Sequence, residues 1–491
     1  MINYVSTKGG IEPVAFDEAV LQGFAADGGL FVPATIPRIT PQQFESWATL
    51  DYSELAFEIL SLYIDRSVIP SEELRRLVES SYQVFEVPDV VKLVPLGGDP
   101  NLSVMELFHG PTLSFKDVAM GFLMNVLDYF LKQRGERLSI ILATTGDTGP
   151  AAAWASAGKD TIDCWPMYPR GMISEEQERQ MTTLKADNVH PVGVENCSDG
   201  GDDLDFVVAK LFADQELKKK LNLSSVNSIN WCRVMVQSVH YFYGYYRTVD
   251  KVGDEIIFSV PSGAFGNSFG GYLARSMGLP VKTFICANNV NQALHTAFSS
   301  GVFAKKDLVQ TMSSAIDIVV PYNFWRFLYF ASGSDSGKLK EWMDAFQRSG
   351  KVEFDPQTLD AIRDGYTSVA ISDELTRETI REAFFSDDSY LLDPHTAVAV
   401  AAAIKLKDSL PGNLKIVCLA TAHPAKFPEI IRNCLDSGAE LPEQGRHPTL
   451  DRARKVFQHV RLCDLDNLEY ALIDAMTAVH GQEAPVQDGP E

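Results

Sequence analysis

The 491-residue chain has 45% hydrophobic and 22% charged residues, an ordinary globular composition with material for about two to four domains. Its formal charge of -22 excludes a surface built to attract nucleic acid or an anionic membrane, because phosphate attraction needs a basic footprint. The seven cysteines, Cys164, Cys197, Cys232, Cys286, Cys418, Cys434 and Cys463, show no C-x-x-C spacing, which favours reduced core thiols over a disulfide framework or a zinc site.

No apolar run approaches bilayer-spanning length, and Met1-Ile2-Asn3-Tyr4-Val5 lacks a charged stretch followed by a hydrophobic one, so a cytoplasmic protein with no membrane partner is expected. Residues 1–92 read as a mixed α/β region. Helical patterns run from Phe16 to Ala26, Ser53 to Tyr63 and Glu72 to Tyr82, and Asp27-Gly28-Gly29 turns the chain into Leu30-Phe31-Val32-Pro33. Pro95-Leu96-Gly97-Gly98-Asp99-Pro100 is a boundary by its turn formers.

Leu107-Phe108-His109-Gly110-Pro111-Thr112-Leu113-Ser114-Phe115-Lys116-Asp117 brings one lysine to the end of a turn and the start of an amphipathic helix, whose apolar face runs through Val118, Phe122, Leu123, Val126 and Leu127. An amine held in a cleft there loses solvation, which disfavours the ammonium and leaves a nucleophile for a carbonyl. A solvated Lys-Asp surface pair is the plainer reading of these residues alone.

Three copies of one grammar follow: an apolar strand, a loop of small and hydroxyl residues, a helix. The first is Ser139 to Ala143, then Thr144-Thr145-Gly146-Asp147-Thr148-Gly149, then a helix from Pro150. Such a loop offers backbone N–H groups to an anion; the competing reading is a tight turn with Thr148 as the N-cap. The second is Glu255 to Val260, then Pro261-Ser262-Gly263-Ala264-Phe265-Gly266-Asn267, then a helix over Ser268 to Gly278 and a strand over Val281 to Ala287. Gly263 and Gly266 let the backbone wrap closely around an oxyanion, and the loop matches neither G-x-G-x-x-G nor a Walker loop. The third is Leu414 to Ala420, then Thr421-Ala422-His423-Pro424-Ala425-Lys426-Phe427 and a helix to about Asp436.

Residues after parallel strand ends gather on one edge, so Thr145, Gly263 and Thr421 are expected to converge with Lys116 in one cleft. Asn227-Ser228-Ile229-Asn230-Trp231-Cys232-Arg233 enters a helix expected over Val234 to Tyr246; its amides, hydroxyl and guanidinium suit either a second anion or helix capping and an ion pair. Asp199-Gly200-Gly201-Asp202-Asp203 reads as a solvated loop leading into a helix. His109, His395 and His423 lack ligand spacing, so no metal is expected. The segment 431–491 is expected to be a helical tail with two helical patterns and a frayed acidic end.

Seven of these motifs, in this order, resemble the threonine synthase family: Phe108 to Thr112 with Ser114 to Asp117, Thr144 to Gly149, Ser174-Glu175-Glu176-Gln177-Glu178-Arg179-Gln180-Met181, Asn227 to Asn230, Pro261 to Asn267, Asp393-Pro394-His395-Thr396-Ala397-Val398, and Thr421 to Phe427. The resemblance implies an α/β, two-lobed fold of mostly parallel open sheets flanked by helices, of the fold type II, tryptophan-synthase-like class. Residues 93–430 would form the core, with the smaller lobe at roughly 130–200. The implied cofactor is pyridoxal 5'-phosphate, bonded to Lys116, with Gly263, Ala264, Phe265, Gly266 and Asn267 on its phosphate, Thr421 at its pyridine nitrogen and Asp147 near its phenolic oxygen. Thr145, Thr148 and Gly149 would take the substrate carboxylate, and Ser228, Asn230 and Arg233 the substrate phosphate. The implied reaction converts O-phosphohomoserine and water to L-threonine and phosphate, in a monomer or homodimer. A phospholyase giving keto acid, ammonia and phosphate, or a silent binding protein on the same fold, are the alternatives. Ala264 departs from the Asn common in the family.

Overall fold

The computed structural model describes residues 2–198, 200–436 and 440–481. The expected fraying of the acidic end concerns residues 482–491, outside the described residues. The chain folds as two units that are discontinuous in sequence, one of Met1–Val126 with Asn227–Asp451 and one of Leu127–Val226 with Arg452–Glu491.

The first unit holds a six-stranded sheet in the spatial order Tyr366–Ala370, Val281–Asn288, Ile256–Pro261, Lys415–Ala420, Asp99–Glu106, Lys92–Leu96. Every neighbouring pair is parallel except the last, which is antiparallel. The central strands are buried along almost their whole length, which explains why Ile256-Ile257-Phe258-Ser259-Val260-Pro261 reads as a continuous run and not as an alternating one. Helix Pro394–Leu406, rich in Ala and Val, lies in the same core as Val104, Ile257, Ile416 and Cys418, and Ser259 Oγ donates to Ala399 O at 2.7 Å. Small side chains let this helix come that close to the strand. Near the N-terminus, Tyr4–Ser6 pairs antiparallel with Phe31–Pro33, and the helix expected over Phe16 to Ala26 spans Phe16–Gln22, ended by Gly23 at φ 70°.

The second unit holds a five-stranded, wholly parallel sheet ordered Arg461–Asp464, Val192–Glu195, Ile162–Pro169, Leu138–Ala143, Leu223–Ser224. Its core gathers Ile141, Trp165, Val192, Leu204 and Leu211 with Leu468, Leu472 and Met476.

Two expectations change here. The helix expected over Val234 to Tyr246 is two helices, Trp231–Val236 and Ser238–Thr248, meeting at Gln237. The three strand-loop-helix copies do not share a sheet: the strands before Gly263, Thr421 and the Lys116 turn belong to the first unit's sheet, and the strand before Thr145 belongs to the second unit's. All seven cysteines are free thiols, five of them buried. Among the described residues, no helix is long and apolar enough to cross a membrane.

Candidate active site

Strand Asp99–Glu106 leads directly into the lysine turn. Leu107 N donates to Ala420 O at 3.0 Å, carrying the pairing with the neighbouring strand past its end. The chain then reverses at Gly110-Pro111-Thr112-Leu113, closed by Leu113 N on Gly110 O at 3.0 Å, with proline presetting the second position. Gly110 is required, because a Cβ there would lie 2.4 Å from Asp117 Cβ. The Asp117 carboxylate ties the turn to the helix start, accepting from Thr112 N at 2.8 Å and Thr112 Oγ1 at 2.6 Å. Leu113 is buried in the left-handed region at φ 60°, a conformation a β-carbon disfavours.

This turn docks on the loop after Lys415–Ala420. Phe115 N donates to Thr421 O at 2.8 Å, and His423 N to Leu113 O at 3.0 Å. Lys116 is the first residue of helix Lys116–Arg134, half-buried, with its Nζ 4.7 Å from the centre of the Phe115 ring. The ammonium of Lys426 is wholly buried and donates to Thr112 O at 2.7 Å. His423 is held down to about 3, mainly by burial and further by His447, His109 and Lys426, so its ring is neutral.

The second loop leaves Ile256–Pro261 beside Lys415–Ala420 and enters helix Gly266–Met277. A Cβ on Gly263 would lie 2.8 Å from Ile316 Cα, so only glycine fits under that segment. The segment itself is pinned: Ala315 N donates to His395 Nε2 at 3.0 Å, and His395 Nδ1 bonds Asp393 Oδ1 at 2.8 Å. Asn267 is the most telling residue of the loop. Its Oδ1 meets His240 Nε2 at 2.9 Å and the Tyr241 hydroxyl at 3.0 Å, while its Nδ2 is buried with no hydrogen-bond partner. Burial holds His240 down to about 4, so it is neutral and its Nε2 carries the proton given to Oδ1. An orphaned amide donor at a helix N-terminus, beside a backbone that tolerates no Cβ, fits an anion of phosphate size. Gly263→Ala is expected to destabilise the fold by about 1–3 kcal/mol, since the contact is with backbone and cannot swing aside. Thermal denaturation checks this, with inorganic phosphate expected to protect the variant less than the parent.

The three residues expected to hold a second anion engage three different neighbours. Asn230 spends its whole amide inside the protein, accepting from Cys232 N at 3.1 Å and donating to Val20 O at 2.9 Å, and so caps helix Trp231–Val236. Ser228 packs on the phosphate-type loop, its Cβ 3.6 Å from where a Gly266 Cβ would sit. Arg233 is wholly buried; burial lowers it to about 10, opposed by Cys232 and by the Asp117 carboxylate.

In the second unit, the loop after Leu138–Ala143 is organised by Thr144, whose Oγ1 accepts from Gly146 N at 3.2 Å and Gly149 N at 3.0 Å. Thr144 therefore does the work expected of Thr148, which is the first residue of helix Thr148–Ser156 and not its cap. Asp147 is buried and accepts from Gln177 Nε2 at 2.9 Å, and Gln177 in turn completes a capping box with Ser174. That contact gives the Ser174 to Met181 motif a physical task. Thr145 is exposed and Thr148 half-buried.

Sequence reading missed His240, Asn323 and Arg326. The available signal was Arg326 itself, a lone guanidinium in the aromatic-rich helix Tyr322–Ala331, YNFWRFLYFA.

The chain matches three family patterns: "Threonine synthase N terminus" over residues 3–82, "Pyridoxal-phosphate dependent enzyme" over residues 91–422, and "Threonine synthase, C-terminal" over residues 396–469. It is 40% identical to a threonine synthase of Pseudomonas aeruginosa, covering 98% of this chain and 99% of that one. The crystal structure of the yeast threonine synthase superposes with a TM-score of 0.91 at 33% identity, covering 97% of this chain and 99% of that one. The pyridoxal-phosphate-bound threonine synthase of Brucella melitensis superposes with a TM-score of 0.89 at 36% identity, covering 96% and 99%.

Proposed function

We propose roles for these residues from one premise: the chain belongs to the threonine synthase family, a group of pyridoxal-phosphate-dependent enzymes. It converts O-phosphohomoserine and water to L-threonine and phosphate. When bound, pyridoxal phosphate supplies an electron sink for charge that develops at the substrate's α and β carbons. The observation that carries the reading is the hydrogen-bonded docking of the Lys116 turn on Thr421, on the same sheet edge as the Gly263–Asn267 loop.

Lys116 Nζ would hold the cofactor through its aldehyde carbon. The same nitrogen would move protons at the substrate's Cα and Cβ, a task for which its position at the first residue of a helix suits it. Gly263, Ala264, Phe265 and Gly266 give backbone donors to the cofactor phosphate, and the bare Nδ2 of Asn267 adds a side-chain donor. Ala264 acts through its backbone, so no side-chain function is lost there. The Thr421 hydroxyl would hold the pyridine nitrogen. Arg233 and Lys426, both wholly buried, the latter bonded to Thr112 O, are the cations offered to the phosphorylated substrate. The loop of Thr145, Thr148 and Gly149 offers amides and hydroxyls to a carboxylate. A cytoplasmic monomer or homodimer completes the proposal.

Incubation with O-phosphohomoserine is the test. Threonine and phosphate are expected in equal amounts. Phosphate accompanied by ammonia and a keto acid, with no threonine, would replace the synthase with a phospholyase. An absorbance band near the visible edge that disappears on borohydride treatment is expected in either case; its absence after incubation with the cofactor would leave only the binding protein.

A further inference from the structure

Arg326 is wholly buried, and among the described residues its guanidinium donates to neutral acceptors. Nε reaches Phe31 O at 3.1 Å, one terminal nitrogen reaches Ser228 O at 3.1 Å and Asn323 Oδ1 at 2.5 Å, and the other bonds Ile229 O. None of these acceptors is a carboxylate, and burial alone lowers its pKa, to about 9. A guanidinium taken out of water carries a solvation penalty of several kcal/mol that dipoles offset only in part. Such a charge is best explained by an anion that arrives with a ligand.

The hydrogen bonds around it say where. A guanidinium only donates, so the oxygen of the Asn323 amide must face Arg326 and its nitrogen must face away. That nitrogen donates to Ser228 Oγ at 3.0 Å. With its oxygen already accepting, the Ser228 hydroxyl is left to donate its own hydrogen elsewhere. The relay ends at the phosphate-type loop: a Cβ on Gly266 would lie 3.3 Å from Asn323 Nδ2 and 3.6 Å from Ser228 Cβ, and Asn323 N itself donates to Ala264 O at 3.2 Å.

We propose that Arg326 is a positioning residue which, through Asn323, aims the Ser228 hydroxyl at the cofactor phosphate and whose buried charge keeps that phosphate doubly ionised. Ser228 thus belongs to the cofactor and not to the substrate's phosphate. The inference rests on the pyridoxal-phosphate reading above, and the Lys116 absorbance band separates the two: Lys116 is untouched in every variant, so a missing band in the parent would sink the cofactor reading, not this relay.

The test is made on the holoenzyme with phosphorus NMR across pH and with the rate of cofactor release. In the parent the phosphorus resonance is expected to stay flat through the second ionisation of a free phosphate, near about 6. Arg326→Met is expected to make the resonance titrate and to release cofactor at least about tenfold faster, with Arg326→Lys intermediate. Ser228→Ala is expected to speed release while leaving the resonance flat, since the charge remains; Ser228→Thr, which keeps the hydroxyl, restores slow release. In the double variant the effects on release should be less than multiplicative, as for groups acting in one chain. A flat resonance with unchanged release in Arg326→Met overturns the proposal. Should Arg326→Met fail to fold, the serine pair decides alone: release unaltered by Ser228→Ala overturns the relay.

Discussion

Lys116→Ala folds and loses turnover by at least about a thousandfold, the scale expected when a positioned proton carrier is removed. Folding survives because the turn is closed by other groups: Leu113 N on Gly110 O, Thr112 on the Asp117 carboxylate, and Phe115 N on Thr421 O. Alanine also suits the first turn of a helix. The variant should therefore melt within a few degrees of the parent, lack the borohydride-sensitive band, and regain a fraction of its activity when a small primary amine is added. Turnover with the band intact would remove Lys116 from the chemistry, and a collapsed melting temperature would make it a folding residue.

Arg233→Ala loses about 3–5 kcal/mol of stability, because it removes a wholly buried cation from beside a buried carboxylate. Arg233 and Asp117 are both buried, and the carboxylate is one of the groups that favour the charged guanidinium. Asp117 in turn fixes Thr112 and, through it, the approach to Lys116. The double variant Arg233→Ala with Asp117→Asn should recover part of the loss, since a neutral amide needs no counter-charge. Chemical denaturation measures both. The family resemblance implies a side chain for the substrate phosphate, and burial adds a stronger expectation: stability falls first, and the Michaelis constant rises with it. A single variant as stable as the parent would show that the carboxylate has other compensation.

The lysine turn and both first-unit loops were legible because their signals are local. Pro111 and Gly110 mark a turn, an unbroken apolar run marks a strand buried on both faces, and small residues after a strand mark an anion loop. Asn230 was legible only as a choice between cap and ligand; its contact with Val20, 210 residues earlier, decides for the cap and no spacing rule reaches so far. Arg326 escaped for the same reason. Its partners lie 97 and 98 residues away at Ile229 and Ser228 and 295 residues away at Phe31, so its polarity looked like an accident in an aromatic-rich helix. The assumption of a single sheet failed because identical strand-loop-helix grammar serves two sheets equally well, and only the pairing partners of Leu138–Ala143 distinguish them. His240 gave no local signal, since its bond to Asn267 Oδ1 depends on a burial that keeps the ring neutral.

Phe265 takes a left-handed backbone, φ 63°, at the very start of the Gly266–Met277 helix, where glycine would sit without strain. The conformation costs about 1–2 kcal/mol in a residue with a β-carbon. Its ring is set among Phe298, Phe324, Phe327 and Tyr366, with centroids between 5.5 and 6.2 Å away. The strained hinge of the loop is thereby bolted to an aromatic nest of the first unit. Warming cannot slacken one without dissolving the other, so the loop keeps its shape up to the melting of that nest and loses it there.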